Sequence, residues 1–425
     1  MGARVHQWLR GASLPVFTGY TMVAAFGTYF SMYAFRKPFA VGTYPGAVEA
    51  FGLSLDLKSL FIIAQVIGYA ASKFLGIKVV SEITPTKRAV AILIFIALAE
   101  LALVGFALTP APWAAGWLLL NGLPLGMIWG LVFGFLEGRK TSDVLGVVLA
   151  VSFIVSSGFV KTVGKWVLGL AVPEVWMPAA TGLLFFLPLS FFVWMLAQVP
   201  PPSAEDEALR TKRAPMDGPA RRAFFLRFWP GLVAQVALYS VLTAYRDFRD
   251  NFAREIWDAL GYANEPTILT TAELPVALGA LVVVGSVMII RSNRTAVLSL
   301  HAIMFAGHLV LIGLATLAFD FGLIGPATWM VSVGLGLYLA YVPFNCVLFD
   351  RLVAAVGSVA TAGFLIYVAD AFGYLGSVGL LLFKSLAQPT LSWLEFFRGF
   401  SYLSTVLCGV LYVVAGLYFW RRTNA

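Results

Sequence analysis

Two arginines at the ends of apolar segments are the residues best suited to binding chemistry. Arg36 closes the segment YFSMYAFRKPF, and Arg246 lies in SVLTAYRDFRDNF in the second half of the chain. A guanidinium presents a planar fork of donors that fits phosphate or carboxylate oxygens. Ionisable side chains in lipid-embedded segments are costly unless they line a cavity or meet a partner. Both arginines are therefore candidate ligands of an anion.

Other polar side chains could complete the same site. Tyr29 and Tyr33 precede Arg36 by seven and three residues, so a helix would place all three on one face. Positive side chains elsewhere in apolar segments would add to the attraction for an anion, and these are Lys73, Lys161 and Arg249. We predict that these residues together bind an oxygen-rich, negatively charged ligand.

Each of these assignments has a plainer alternative. Arg36 could extend to the lipid headgroups instead of a cavity. The two arginines of the second half could form ion pairs with the neighbouring aspartates, Asp247 and Asp250. The tyrosines before Arg36 could belong to the aromatic belt at a membrane interface. The spacing alone does not choose between these alternatives.

Acidic side chains within apolar segments are candidates for coupling or gating. Glu100, Glu273 and Asp370 are the mid-segment carboxylates, and each could carry a coupled proton or neutralise a nearby cation. We expect pairing for Glu100 and Glu273 but not for Asp370, which stands in the glycine-rich stretch GFLIYVADAFGYLGSVG. The residues predicted to serve coupling or gating are Asp370, Glu273, Asp247, Glu137 and Arg139.

The elements that position these residues must be membrane-spanning helices. Of the 425 residues, 60% are hydrophobic and 12% charged, and the mean hydropathy is +0.87. Apolar runs are continuous over about 20 residues rather than alternating, which excludes a β-barrel. We predict an all-α polytopic membrane protein, with helices 1–12 near residues 15–36, 57–80, 88–109, 112–136, 144–171, 176–198, 228–250, 267–290, 295–318, 324–349, 357–384 and 399–420.

The predicted helices fall into two sets of six. Residues 1–199 form the first half, the proline-broken and charged residues 200–222 form a linker, and residues 223–425 form the second half. Lysine and arginine cluster in alternate loops, which predicts that both termini and the linker lie in the cytoplasm and that the chain resides in the inner (plasma) membrane. Because helices 1 and 7 are equivalent in two such halves, Arg36 and Arg246 should face one cavity from opposite walls.

The net charge of +8 is explained by these loops, so we expect no nucleic-acid partner. The cysteines and histidines show no metal-ligand spacing, and no phosphate-binding loop or catalytic triad is present. We predict a protein that is not an enzyme and that needs neither a metal nor another cofactor. Its expected partners are the lipid bilayer and a small anionic substrate, and we expect it to act as a monomer.

Several segments resemble the organophosphate:phosphate antiporter family of the major facilitator superfamily. They occur in the family's order along nearly the whole chain, and they are GTYFSMYAFRKPF, IGYAASKF, GMIW, YVPFN and TAGFLIYVADAFGYLGS. The resemblance implies the major facilitator fold, with about 12 transmembrane helices. It also implies that Arg36 and Arg246 are the phosphate ligands of helices 1 and 7, with Tyr29, Tyr33 and Lys73 lining the cavity.

The sequence departs from that family in places. The loop after helix 2, GIKVVSEITPTKR, lacks the usual Asp-Arg pair, Lys161 stands near an expected histidine of helix 5, and Asp370 replaces a neutral residue. We expect alternating-access transport of a small anionic, phosphorylated metabolite, with exchange for inorganic phosphate. Proton-coupled symport of an organic anion is the alternative. A transporter-like membrane sensor is a further alternative, which the short predicted tails disfavour.

Overall fold

The computed structural model describes residues 2–50, 53–137, 139, 141–202, 206, 218–357 and 362–423. Within these residues the chain forms a bundle of twelve long helices, α1–α12. Their bounds are Leu14–Met32, Leu57–Glu82, Arg88–Leu108, Ala115–Leu136, Ser142–Gly169, Met177–Ala197, Gly218–Asn251, Ile268–Val287, Asn293–Asp320, Pro326–Cys346, Ala362–Leu382 and Trp393–Arg422.

Eleven of these helices are long and apolar enough to cross a membrane, judged over the described residues. The exception is α1, in which threonine, serine and tyrosine side chains interrupt the apolar sequence. It nevertheless packs inside the bundle, against α5 and α6. The prediction of an all-α, multi-pass membrane protein is confirmed.

Shorter elements connect the long helices. A β-hairpin follows α1, with β1 (Ala47–Ala50) antiparallel to β2 (Leu53–Asp56). The sequence pattern had not indicated this hairpin. The short helical segments are Gly2–Gly11, Tyr33–Phe35, Pro38–Val41, Pro85–Lys87, Ala253–Trp257, Asp258–Tyr262, Leu348–Ala355 and Phe383–Ala387.

Most helix bounds agree with the predicted ones to within a few residues, but two starts differ. Helix α12 begins at Trp393 rather than near 399, because Ser392 and Glu395 form a reciprocal capping box with the backbone. Helix α7 begins at Gly218 rather than near 228, inside the predicted linker. Residues 203–205 and 207–217 of that linker lie outside the described residues, and the division into two halves stays a prediction.

For description, α1–α6 are called the first half and α7–α12 the second half. Helix α2 packs against α11, and α5 packs against α8 and α10, so these pairs form the interface between the halves. The end of the bundle that carries the β-hairpin is called the hairpin end. The opposite end, where the helix Gly2–Gly11 and the last turn of α12 lie, is called the terminal end.

Glycines let α2 and α4 approach closely within the first half. A Cβ atom on Gly68 would lie 2.0 Å from the Leu119 carbonyl oxygen, and one on Gly122 would lie 2.4 Å from the Gln65 carbonyl oxygen. Only a residue without a side chain fits either position. This contact brings the Gln65 side chain of α2 and the Asn121 side chain of α4 together beside the end of α1.

Candidate functional site

A cavity of about 190 Å³ lies between the two halves. Its walls come from α1, α2 and α4 on one side and from α7, α10 and α11 on the other. Six of the residues predicted from sequence line it, and they are Arg36, Arg246, Lys73, Tyr29, Tyr33 and Asp370. The cavity reaches Val80 and Phe133, near the terminal ends of α2 and α4.

The position of Arg36 follows from where α1 ends. The α-helix stops at Met32 and tightens into the 3₁₀ segment Tyr33–Phe35, which leaves carbonyl groups without helical partners. The Asn121 side chain donates to the Phe35 carbonyl oxygen at 3.0 Å, and the Gln65 side chain donates to the Arg36 carbonyl oxygen at 3.0 Å.

These two amides also bond to each other, because Gln65 Nε2 donates to Asn121 Oδ1 at 2.8 Å. The second hydrogen of the Asn121 amide goes to the Ala99 carbonyl oxygen on α3, also at 3.0 Å. Asn121 is fully buried. The pair therefore ties the end of α1 to α2, α3 and α4 and sets the backbone from which Arg36 projects.

Within the described residues Arg36 forms no direct ion pair, although the Asp247 carboxylate lies near enough to act on its charge. Arg36 is only 5% exposed, so the alternative in which its side chain extends to the lipid headgroups is wrong. The guanidinium carbon lies 3.8 Å from the centroid of the Tyr69 ring, a cation–π contact. No carboxylate of the described residues forms an ion pair with Arg36, and its buried Nε has no hydrogen-bond partner among them.

Arg246 faces the same space but is already partly neutralised. Its guanidinium donates to Asp247 Oδ1 at 2.6 Å and to the Tyr341 hydroxyl at 2.8 Å. Asp247 also accepts from the Ser377 hydroxyl at 2.8 Å. Arg246 therefore pairs with a neighbouring aspartate, as the alternative predicts, but the partner is the adjacent Asp247, and Asp250 pairs with lysines of the other half. Arg36 and Arg246 also line a second, much smaller cavity directly beside the first.

Lys73 and Asp370 meet across the cavity, with Lys73 Nζ 3.3 Å from Asp370 Oδ2. The other oxygen of Asp370 accepts from the Tyr239 hydroxyl at 2.6 Å. The expectation that Asp370 stands unpaired was therefore wrong. Helices α2 and α11 are in contact here, so a cation on one can form an ion pair with an anion on the other. Residue spacing within either helix does not reveal such a pair.

Ion pairs between the halves close the hairpin end. Lys37 and Lys161 both contact the Asp250 carboxylate, and Lys37 also donates to Asn251 Oδ1 at 2.9 Å. Nearer the hairpin, Lys58 pairs with Glu255. Lys161, predicted to bind substrate, therefore lies in this closure and not in the large cavity. Two lysines share one aspartate, so the closure carries surplus positive charge.

Other predicted site residues lie outside the large cavity. Arg249 is buried and pairs with Glu273 at 2.8 Å, which confirms pairing for that glutamate. Arg139 donates to the Phe135 and Pro200 carbonyl oxygens and so joins α4 to the end of α6, at the terminal end. Glu137, predicted to serve gating, is exposed. The expected pairing of Glu100 was wrong, because Glu100 forms no ion pair within the described residues.

Comparison with known proteins gives the family. No curated protein sequence is similar enough to this chain to count as a match. Residues 38–422 match a family described as being of unknown function, DUF5690. The chain belongs to this family.

Solved structures show the fold of this DUF5690 chain. A peptide transporter in complex with alafosfalin has a TM-score of 0.61 at 15% identity, covering 100% of each chain. The nucleoside transporter NupG has a TM-score of 0.60 at 12% identity, over 95% of this chain and 99% of that one. A D-xylose-proton symporter has a TM-score of 0.57 at 17% identity, over 96% and 97%. The major facilitator fold is thereby confirmed. None of these three is described as an organophosphate:phosphate antiporter.

Sequence reasoning missed several residues that line the cavity of this DUF5690 chain. Tyr69, Tyr341, Tyr374 and Trp129 all face it, and the Tyr69 and Tyr374 rings meet edge-on at 5.2 Å across the halves. A signal was available, because Tyr69 precedes Lys73 by four residues and Tyr374 follows Asp370 by four. Residues four apart share a helix face. Among the described residues, no group of His, Cys, Asp or Glu side chains is arranged to hold a metal ion.

Proposed function

We propose that this chain is a secondary transporter that moves a small organic anion, above all a phosphorylated metabolite, across the membrane by alternating access. The observation that carries the proposal is the buried guanidinium of Arg36, which forms no ion pair with a carboxylate in the described part of the chain and shares a cavity with Arg246. A buried cation is costly when unpaired, and an anionic ligand between the two arginines would supply the missing charge.

The arrangement of the two ends supports alternating access. Ion pairs across the halves hold the hairpin end closed, while the cavity extends towards the terminal end. If the ion pairs of the hairpin end broke and contacts formed at the terminal end, one half would rock against the other. The arginines would then be exposed at the hairpin end. The three solved structures of the same fold are all described as transporters or symporters.

The loop charges support placing the terminal end in the cytoplasm, which makes the described conformation open to the inside of the cell. In this orientation the protein would be an inner-membrane protein with both termini cytoplasmic. We further propose that it acts as a monomer and performs no covalent chemistry. The cavity offers side chains for binding an anion, and five of its six tyrosines are buried within the helix bundle, while Tyr367 is exposed.

Exchange with inorganic phosphate is the finer proposal, supported by the resemblance at Arg36 and Arg246. The test is uptake of labelled phosphate into proteoliposomes loaded with unlabelled phosphate, compared with empty liposomes and with proteoliposomes that contain no internal phosphate. Uptake that requires internal phosphate supports antiport. Uptake that proceeds equally without it contradicts exchange and favours symport.

Proton-coupled symport of an organic anion is the second candidate, and Asp370 is the observation that favours it. This carboxylate lies in the cavity and faces the Lys73 ammonium and the Tyr239 hydroxyl, with the Tyr374 and Tyr367 side chains also lining that wall. Symport predicts that anion uptake is driven by an inwardly directed proton gradient and that Asp370→Asn removes this drive. If uptake by the wild-type protein does not depend on the proton gradient, this candidate is wrong.

A further inference from the structure

The wall of the cavity nearest the terminal end is aromatic. Trp129 and Phe133 lie one turn apart on α4, with ring centroids 6.4 Å apart and planes only 8° from parallel. The Tyr29 ring meets Trp129 edge-on at 5.2 Å. Both α4 residues are half-buried and line the cavity, so their ring faces and edges are available to a ligand.

A row of rings leads from Arg36 to the aromatic wall. The Arg36 guanidinium carbon lies 5.9 Å from the Tyr33 ring centroid, and the Tyr33 and Tyr29 ring centroids are 5.6 Å apart. Because the Tyr29 ring contacts Trp129, the body of a ligand whose charged group lies at Arg36 would extend towards Trp129.

Beside its six tyrosines, the cavity has one side-chain amide and one serine hydroxyl among the described residues. Asn345 is the one side-chain amide that lines the cavity in the part of the chain that the structure describes. The Asn345 amide nitrogen donates to the Tyr341 carbonyl oxygen at 3.3 Å, and its oxygen lies 3.3 Å from the Tyr239 hydroxyl, whose hydrogen is donated to Asp370. The Ser72 hydroxyl donates to the Tyr69 carbonyl oxygen at 2.6 Å. A polyhydroxylated body would therefore depend on the tyrosine hydroxyls, Lys73 and Asp370 for its hydrogen bonds, and any hydroxyl group left without a partner is costly away from water.

We propose that the substrate is an aromatic organic anion, whose phosphate or carboxylate lies between Arg36 and Arg246 and whose ring packs on Trp129 and Phe133. This inference rests on the proposed function, because it assumes that the cavity is the anion site. Offset or edge-on contact between aromatic rings adds to the gain from burying apolar surface, so the wall favours a flat ring over a sugar.

The test compares ligands that share a charged group and differ in the body. Binding of phenyl phosphate and of glycerol 1-phosphate to the purified protein is measured by isothermal titration calorimetry, together with benzoate and acetate. Phenyl phosphate is expected to bind at least about tenfold more tightly than glycerol 1-phosphate. Trp129→Ala should weaken phenyl phosphate about fivefold or more and leave glycerol 1-phosphate unchanged, whereas Trp129→Phe should retain most of the preference.

Trp166→Ala is the matched control, because Trp166 is half exposed on α5 and does not line the cavity. Equal or tighter binding of glycerol 1-phosphate overturns the aromatic inference and leaves anion transport standing. Failure of all four anions and of inorganic phosphate to bind overturns the proposed function instead. Binding of benzoate alone, lost in Arg36→Ala, supports an aromatic carboxylate and contradicts phosphate recognition. If Trp129→Ala does not fold, Trp129→Leu against Trp129→Phe makes the same comparison.

Discussion

Lys73 on α2 and Asp370 on α11 form an ion pair across the cavity, with 3.3 Å between Nζ and Oδ2. The pair joins the two halves at the depth of the candidate anion site, next to the Tyr69 and Tyr374 rings. An anion bound at the arginines would compete with Asp370 for the Lys73 ammonium. We expect the carboxylate to limit how tightly the cavity holds a negative charge.

The first prediction concerns this competition. Lys73→Met removes a positive charge and a charged hydrogen-bond donor, so phosphate affinity should fall by about tenfold or more. Asp370→Asn removes the competing negative charge and should raise phosphate affinity. Calorimetric titration of the two purified variants checks both directions. A shift of both affinities in the same direction would contradict the competition.

The second prediction concerns the closure of the hairpin end. Asp250→Asn leaves Lys37 and Lys161 without their shared carboxylate, and buried unpaired lysines are strongly unfavourable. The closed conformation should lose stability, and the halves should separate at this end. Spin labels on cysteines at Thr43 and Asn264, which are exposed, should report a longer distance by double electron–electron resonance.

The labelled protein for this measurement carries Cys346→Ala and Cys408→Ala, so that only the introduced cysteines react. Asp320→Asn is the matched control, because Asp320 pairs with Arg398 inside the second half and away from the interface. The control should keep the wild-type distance. An unchanged distance in Asp250→Asn would show that these ion pairs do not hold the closure.

The third prediction concerns Asn121 as a positioning residue. Asn121→Leu removes the donors to the Phe35 and Ala99 carbonyl oxygens, at a cost of about 1–3 kcal/mol for each buried group left unpaired. The protein should melt at a lower temperature, and phosphate binding should also weaken because the end of α1 is no longer held. Thermal unfolding and calorimetry measure the two effects separately.

Gln235→Leu provides the comparison for Asn121. Gln235 is also a fully buried amide, and it bonds to His301 in the second half at 2.6 Å, far from Arg36 in the fold. Its loss should lower the melting temperature with little effect on phosphate binding. If Asn121→Leu likewise changes only stability, the positioning role is wrong and Asn121 is simply a structural residue.

The fourth prediction concerns the crossing of α2 and α4. Gly122→Ala would bring a Cβ atom 2.4 Å from the Gln65 carbonyl oxygen, so the helices must separate. We expect a large fall in the yield of folded protein on size-exclusion chromatography. Gly116→Ala in the same helix meets nothing within 4 Å and should be neutral or slightly stabilising, since alanine favours the helix over glycine. Equal yields for both variants would contradict the close crossing.

The long helices could be predicted because lipid demands continuous apolar segments, and charged loops mark where each segment ends. Arg36 and Lys73 could be selected for the same reason, as charges out of place in lipid. The early start of α12 also had a visible signal in the Ser392–Glu395 spacing. The prediction missed this capping pattern because aromatic, apolar residues follow it.

Other parts of the site could not be predicted from one sequence. Helices that are apolar on every side show no hydrophobic stripe, so hydropathy does not reveal which face turns to the cavity. The sharing of Asp250 by Lys37 and Lys161, and the contact of Gln65 with Asn121, depend on helices that are distant in the chain. Such contacts follow from the packing of the bundle, which local spacing does not encode.

Phosphate exchange in proteoliposomes by the wild-type protein, Arg36→Ala and Arg398→Ala tests most directly whether Arg36 binds the transported anion. Arg398 is a matched control because it pairs with Asp320 at 2.5 Å and does not line the cavity. We expect exchange by the wild-type protein and Arg398→Ala and no exchange by folded Arg36→Ala, since that substitution removes the buried guanidinium of the described cavity that forms no ion pair. Exchange at the wild-type rate in Arg36→Ala would show that Arg36 does not bind the transported anion.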